Sequence, residues 1–223
     1  MRFIKLIAAA SATLALGLGA PMASAAPITV DLEYTGNLGP GTPTTRISGT
    51  GRSAITVYAG EFEMEKVSDP SDHFYYSDTI NAFCIQITEI LRPKGQIGTY
   101  VVETGLGSFS DVAVQNKIDA LFTNYYMDAQ ESAEKNAAFQ IALWSIIDAN
   151  FQYSHVASGI AAQVEAYLAD LAGKATGGYE FYVLSIDGYQ DLITARAVPE
   201  PAMLALLGGG LIGVALLRRR RAS

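Results

Sequence analysis

The chain carries an apolar segment at each end, and whatever lies between them has to fold on its own. At the start, Arg2 and Lys5 precede the apolar run Leu6 to Gly19, and Ala23-Ser24-Ala25 supplies small residues for cleavage. That is the order of a secretory signal peptide cut after Ala25. At the far end, Ala202 to Leu217 is apolar and four arginines, Arg218 to Arg221, follow. As a helix this segment reaches about 24 Å, a little short of a hydrocarbon core of about 30 Å. The arginines hold the C-terminus on the cytoplasmic side and leave the bulk of the chain outside. The expected organisation is a signal peptide at 1–25, one globular domain at 26–193, a linker at 194–201, a transmembrane segment at 202–217 and a basic cytoplasmic tail at 218–223.

Val198-Pro199-Glu200-Pro201, the marginal span and the basic end occur in the order of a sorting signal. Together they resemble the PEP-CTERM signal of Gram-negative bacteria that make extracellular polysaccharide. The resemblance implies processing by an exosortase near Pro199, Glu200 and Pro201. The protein is then expected first as an inner-membrane-anchored precursor and afterwards at the cell surface or in the extracellular, biofilm-type matrix. The alternative is an uncleaved C-terminal anchor.

Of the 15 basic residues, six lie in the two terminal segments, so nine remain against 22 acidic ones, a balance near −13. A surface this acidic argues against nucleic acid and anionic lipid as partners. The roughly 173 residues between the signals suffice for one domain with its own core. The chain has a single cysteine, Cys84, which excludes an intramolecular disulfide framework. An unpaired thiol in an oxidising compartment has to be buried, paired between chains or used.

From Ile28 to Tyr58 β-branched and polar residues alternate, interrupted by the turn cluster Gly39 to Pro43. Phe62 to Met64, Ile80 to Leu91 and Gly98 to Glu103 read as further strands. On the Ile80–Leu91 strand, period 2 puts Phe83, Ile85 and Ile87 on one face and Ala82, Cys84 and Gln86 on the other. After Ser110 the periodicity becomes helical over 112–126, 128–150 and 160–172. Tyr179 to Ile186 reads as the final strand. Strands, then helices, then a strand predict an α+β domain.

Gln140 lies in Ala137 to Ile147 with Leu143, Trp144 and Ile147 at i+3, i+4 and i+7, inside an apolar stripe. A buried amide without partners costs about 1 to 3 kcal/mol. A thiol held against a glutamine carboxamide offers one account of both residues. The sulfur displaces ammonia and an internal thioester forms, shielded from water by apolar walls.

Phe83-Cys84-Ile85, followed by Phe139-Gln140-Ile141-Ala142-Leu143-Trp144, resembles the Cys-Gln thioester domains of bacterial surface adhesins. Tyr58 to Phe62 and Gln190-Asp191-Leu192 match further stretches of the variant found with PEP-CTERM signals. The resemblance covers Ile55 to Ile193. It implies a β-rich sandwich or barrel-like sheet with an inserted helical subdomain. Cys84 and Gln140 are implied as the thioester pair, with Phe83, Phe139 and Trp144 packing around it. Such a bond reacts once, with an amine or hydroxyl of a surface partner or with extracellular polysaccharide, so the chain is expected not to be an enzyme. Phe139 stands where many members have Thr, and Gln86 where many have Asp.

Two other readings remain open on the sequence. One is a cysteine hydrolase built from Cys84, His155 and Asn150 or Asp148. The other is a non-reactive structural matrix protein in which Cys84 and Gln140 only pack. No cofactor is expected. His73 and His155 lack a second ligand at metal spacing, and Asp69, Asp72 and Asp78 lack the EF-hand pattern.

Overall fold

A computed structural model describes residues 26–38, 43–49, 51–70, 77–169 and 171–198. The expected signal peptide at 1–25, the Pro199-Glu200-Pro201 motif, the expected transmembrane segment at 202–217 and the expected basic tail lie outside them, as do Asp72 and His73. In chain order the elements are β1 (Thr29–Leu38), β2 (Thr44–Gly49), β3 (Arg52–Tyr58), β4 (Phe62–Ser68), β5 (Thr79–Cys84), β6 (Ile97–Thr104), α1 (Val112–Ala129), α2 (Ala133–Ile147), β7 (Gln152–Ser154), α3 (Ser158–Ala169), β8 (Tyr179–Ser185) and β9 (Leu192–Ala197). Among the described residues no helix is long and apolar enough to cross a membrane.

Six strands close into an antiparallel barrel in the order β1-β4-β5-β9-β8-β6, with β6 returning to β1. Closure gives every strand of the barrel a neighbour on each side. The two-residue period selects what fills it. Along β6, Gly98, Tyr100 and Val102 are buried while Thr99, Val101 and Glu103 face out. Tyr100 lies opposite Val30, and Val102 opposite Leu184. Gly98 leaves room for its neighbours, because a Cβ there would sit 2.9 Å from Ile186 Cδ1 and 3.2 Å from Tyr100 Cε2. A second sheet, β3-β2-β7, stands beside the barrel.

The helices are inserted between β6 and β8. Asp111 caps α1 by accepting from the Ala113 N–H at 2.8 Å, and Ser132 caps α2 by accepting from Lys135 N–H at 3.2 Å. Each cap contributes about 1 kcal/mol. Helix α2 is buried without a break from Ala137 to Trp144, as befits a helix enclosed on all sides; α1, α3 and β5 surround it.

The outer face of the barrel is apolar where the helices cover it. Phe83 pairs with Ile193, and Ile193 with Val183, all three buried. Phe83 meets Phe139 at 4.9 Å between centroids and Phe122 at 6.0 Å, and Phe122 meets Phe181 edge-on at 5.2 Å. Edge-to-face pairs add about 0.5 to 1.5 kcal/mol beyond their buried area.

The architecture is the expected β-rich barrel-like sheet with a helical insert. Three elements differ from the sequence reading. Strand β5 ends at Cys84 rather than Leu91, β7 was not expected, and Tyr179–Ser185 is not the last strand. Strand β9 follows it and runs through Ala197, past the expected domain boundary at Ile193, so residues 194–197 belong to the barrel rather than to a linker.

Candidate functional site

Cys84 is the last residue of β5, paired with Leu192 on β9. Phe83 turns out beneath the helices, so the alternation sends Cys84 to the opposite face, as the period of the strand requires. On the β9 side the ladder continues, with Ile85 N–H donating to the Asp191 carbonyl at 3.1 Å. On the other side it stops. The β4 pairing ends at Phe62↔Ala82, and the next position in register falls near Gly60, whose φ of +146° takes the chain out of the strand. The N–H and C=O of Cys84 therefore have no strand to pair with on that side.

Gln140 takes the place of the missing strand. Its Oε1 accepts from Cys84 N–H at 3.0 Å, and its Nε2 donates to the Cys84 carbonyl at 2.9 Å. Gln140 is completely buried, and this two-point clasp satisfies its amide and the strand end together. Leaving either backbone group unpaired would cost about 1 to 3 kcal/mol.

The thiol has a different partner. Cys84 Sγ donates to Oε1 of Gln190, in the turn before β9, while Gln190 Nε2 donates to the Gln86 carbonyl at 2.5 Å. The segment carrying Gln190 is tied down at several points. Gln190 N–H donates to the Ile90 carbonyl at 3.0 Å, Asp191 N–H to Gln86 Oε1 at 3.3 Å, and Ile186 N–H to Asp191 Oδ1 at 3.3 Å. The side chain at 86 thus acts as an acceptor. Burial pushes the Cys84 thiol well above its ordinary range, with the Gln190 hydrogen bond working against that shift. Asp191 is also raised, chiefly by burial.

The geometry brings the expected pair, Cys84 and Gln140, together through the backbone of the cysteine. Gln140 is next to Cys84, but both ends of its amide are committed to the backbone; the carboxamide in contact with sulfur belongs to Gln190. The matching Gln190-Asp191-Leu192 stretch held the signal for it. The expected packing shell also divides. Trp144, one turn after Gln140 on the same helical face, lines a cleft of about 280 Å³ with Cys84, Gln190, Tyr34, Val57 and Ile90. Phe83 and Phe139 instead belong to the aromatic cluster on the helix side of β5.

The cleft opens between the barrel and the β3-β2-β7 sheet. Its walls are mostly apolar, and Glu89 is the one carboxylate among the described residues that line it. Tyr58 and Ile90 stand at its edge, 60% and 62% exposed. A buried sulfur and a buried carboxamide therefore lie where an incoming group can reach them with little bulk water present. His155 is elsewhere engaged, its Nδ1 3.0 Å from Ser154 Oγ. Among the described residues no group of three His, Cys, Asp or Glu side chains is placed to hold a metal ion.

Comparison with known proteins adds two findings. Residues 197–221 match the PEP-CTERM protein-sorting motif. In structure the chain is similar to the N-terminal thioester domain of a surface protein from Clostridium perfringens, at 10% identity and a TM-score of 0.46, covering 70% of this chain and 100% of that one. It is also similar to the N-terminal domain of the Streptococcus pyogenes pilus tip adhesin Cpa, at 14% identity and a TM-score of 0.44, covering 75% and 95% respectively. No curated protein matches. The chain carries the sorting motif of exported, surface-sorted proteins at residues 197–221, behind a domain similar in structure to thioester domains of surface adhesins.

Proposed function

We propose that Cys84 and Gln190 form an internal thioester and that the protein uses it for single-turnover covalent attachment at the cell surface or in the extracellular matrix. The observation that carries this reading is the contact of the thiol with the Gln190 carboxamide inside a mostly apolar cleft. Attack of Sγ on Cδ of Gln190 joins sulfur to carbon, and the thiol proton leaves with the amide nitrogen as ammonia. The Gln86 carbonyl, accepting from that nitrogen, orients the leaving group. Gln140 fixes the backbone of Cys84, and orientation of this kind is worth several kcal/mol of a barrier, up to about 7 to 11 in the best intramolecular cases.

Once formed, the thioester carbonyl faces the cleft. A partner amine or hydroxyl adds to it, Cδ keeps the new amide or ester bond, and Cys84 leaves as a thiol that takes up the displaced proton. Nothing regenerates the bond, so each molecule acts once and is not an enzyme. Surface sorting through residues 197–221 is consistent with exosortase processing in a Gram-negative cell envelope and with a partner in the surrounding matrix.

The test is the intact mass of the mature protein before and after methylamine. The reading expects a fresh mass lower by one ammonia that rises by one methylamine on treatment. A full mass, unchanged by the amine, with a titratable thiol would instead identify a non-reactive matrix protein.

A further inference from the structure

Gln190 is only eight residues from Val198, where the sorting motif is already under way, and almost all of that distance is strand β9. We infer that β9 is the force-bearing element of the molecule, a direct tether from the attachment site to the surface anchor that bypasses the rest of the domain. The inference rests on the proposed role of Gln190 as the acyl group.

The load path follows from connectivity. A partner bonded to Cδ of Gln190 pulls on residue 190, and the anchor pulls from beyond Val198. The covalent chain between them is Asp191, β9 and Val198. An extended strand rises about 3.3 Å per residue against a limit of about 3.6 Å, so this path has almost no slack. Tension runs along a backbone that is already straight. The strand is also held along its length: Leu192 to Ala197 pair with Leu184 to Tyr179 on β8, Leu192 and Ile193 pair with β5, and Val198 N–H donates to the Gly178 carbonyl at 2.9 Å. The barrel and the helices are attached to the loaded strand without being in series with it.

Attachment at Gln140 would have the opposite consequence. Between Gln140 and Val198 lie the rest of α2, then β7, α3, β8 and β9 itself, and helical chain rises only about 1.5 Å per residue. Stretching that segment out would release on the order of 200 Å. Pulling from the N-terminal end of β1 would put the whole domain in series and release on the order of 500 Å.

Single-molecule stretching of the mature chain, held by a C-terminal tag, tests this in three geometries. In the first, a handle bearing a primary amine is captured at the cleft. In the second, a thiol-reactive handle is placed on the exposed turn beside the site in a Cys84→Ser/Asp187→Cys variant, which needs no thioester. In the third, the handle is at residue 26. The expected result is a step on the order of 500 Å in the third geometry and none beyond about 20 Å in the first two. A long step in the second geometry overturns the tether whatever the chemistry. A step near 200 Å in the first alone moves the attachment to Gln140 and overturns the inference for the bound partner. Failure of the amine handle to attach, with no step in the second geometry, refutes the thioester reading while leaving β9 as the mechanical route from the cleft to the anchor.

Discussion

Gln140 and Gln190 are both buried amides on Cys84, and they meet different halves of it. Gln140 comes from the middle of a helix enclosed on all sides and binds the N–H and C=O of the cysteine. Gln190 comes from a turn held by Gln86 and Ile90 and meets the sulfur. The first stands in for a missing strand; the second sets its carboxamide against the thiol. Burial alone does not distinguish these roles, and the side of the strand from which each amide arrives does. A side chain approaching in the plane of the sheet meets the backbone, and one approaching across the face meets Sγ.

The largest expected effect breaks this pair apart. Gln190→Ala should abolish amine uptake completely while the domain still folds, and Cys84→Ala should do the same; mass spectrometry with methylamine reads both. Next comes Phe83→Ala, on the helix side of β5. Emptying a site shared with Phe122 and Phe139 should cost about 3 to 5 kcal/mol of stability, measured by denaturant unfolding, while the fraction that remains folded still takes up amine. Gln140→Ala should cost about 2 to 4 kcal/mol by orphaning two backbone groups and should slow amine uptake without abolishing it. Complete loss of uptake in folded Gln140→Ala protein would erase the distinction between the two glutamines.

The smallest effect is a pH slope. The folded thiol is raised well above its ordinary value of 9.0, so above about pH 9 the unfolded chain ionises Cys84 while the folded chain keeps it protonated. Stability conferred by the neutral thiol is full below that pH and is lost as pH rises toward the folded value, by up to about 1.4 kcal/mol per pH unit. A thioester has no proton to lose. Fresh protein should therefore lack the slope that amine-treated protein, with Cys84 released, acquires in thermal melts followed from pH 8 to 10, where the loss sets in above about pH 9.

Much of this arrangement was legible in the sequence. The two-residue period put Cys84 opposite Phe83, and the helical period put Gln140 among apolar neighbours. Neither period carries information about where β4 stops, and that termination is what draws Gln140 onto the backbone. Strand β9 was illegible for a related reason. Leu192–Ala197 ends in Ala-Arg-Ala, a poor strand sequence by local preference, and it is extended because β5 and β8 pair with it from both sides. Without that strand the Gln190 stretch reads as a feature of the tail, whereas in the barrel it is delivered to the thiol.

The most direct measurement locates the label. Protein treated with isotopically marked methylamine is digested with trypsin, which separates Gln140, in the peptide 136–174, from Gln190, in the peptide 175–196. The account expects the methylamide on Gln190 alone, with Cys84 recovered as a free thiol. A methylamide on Gln140 would contradict it.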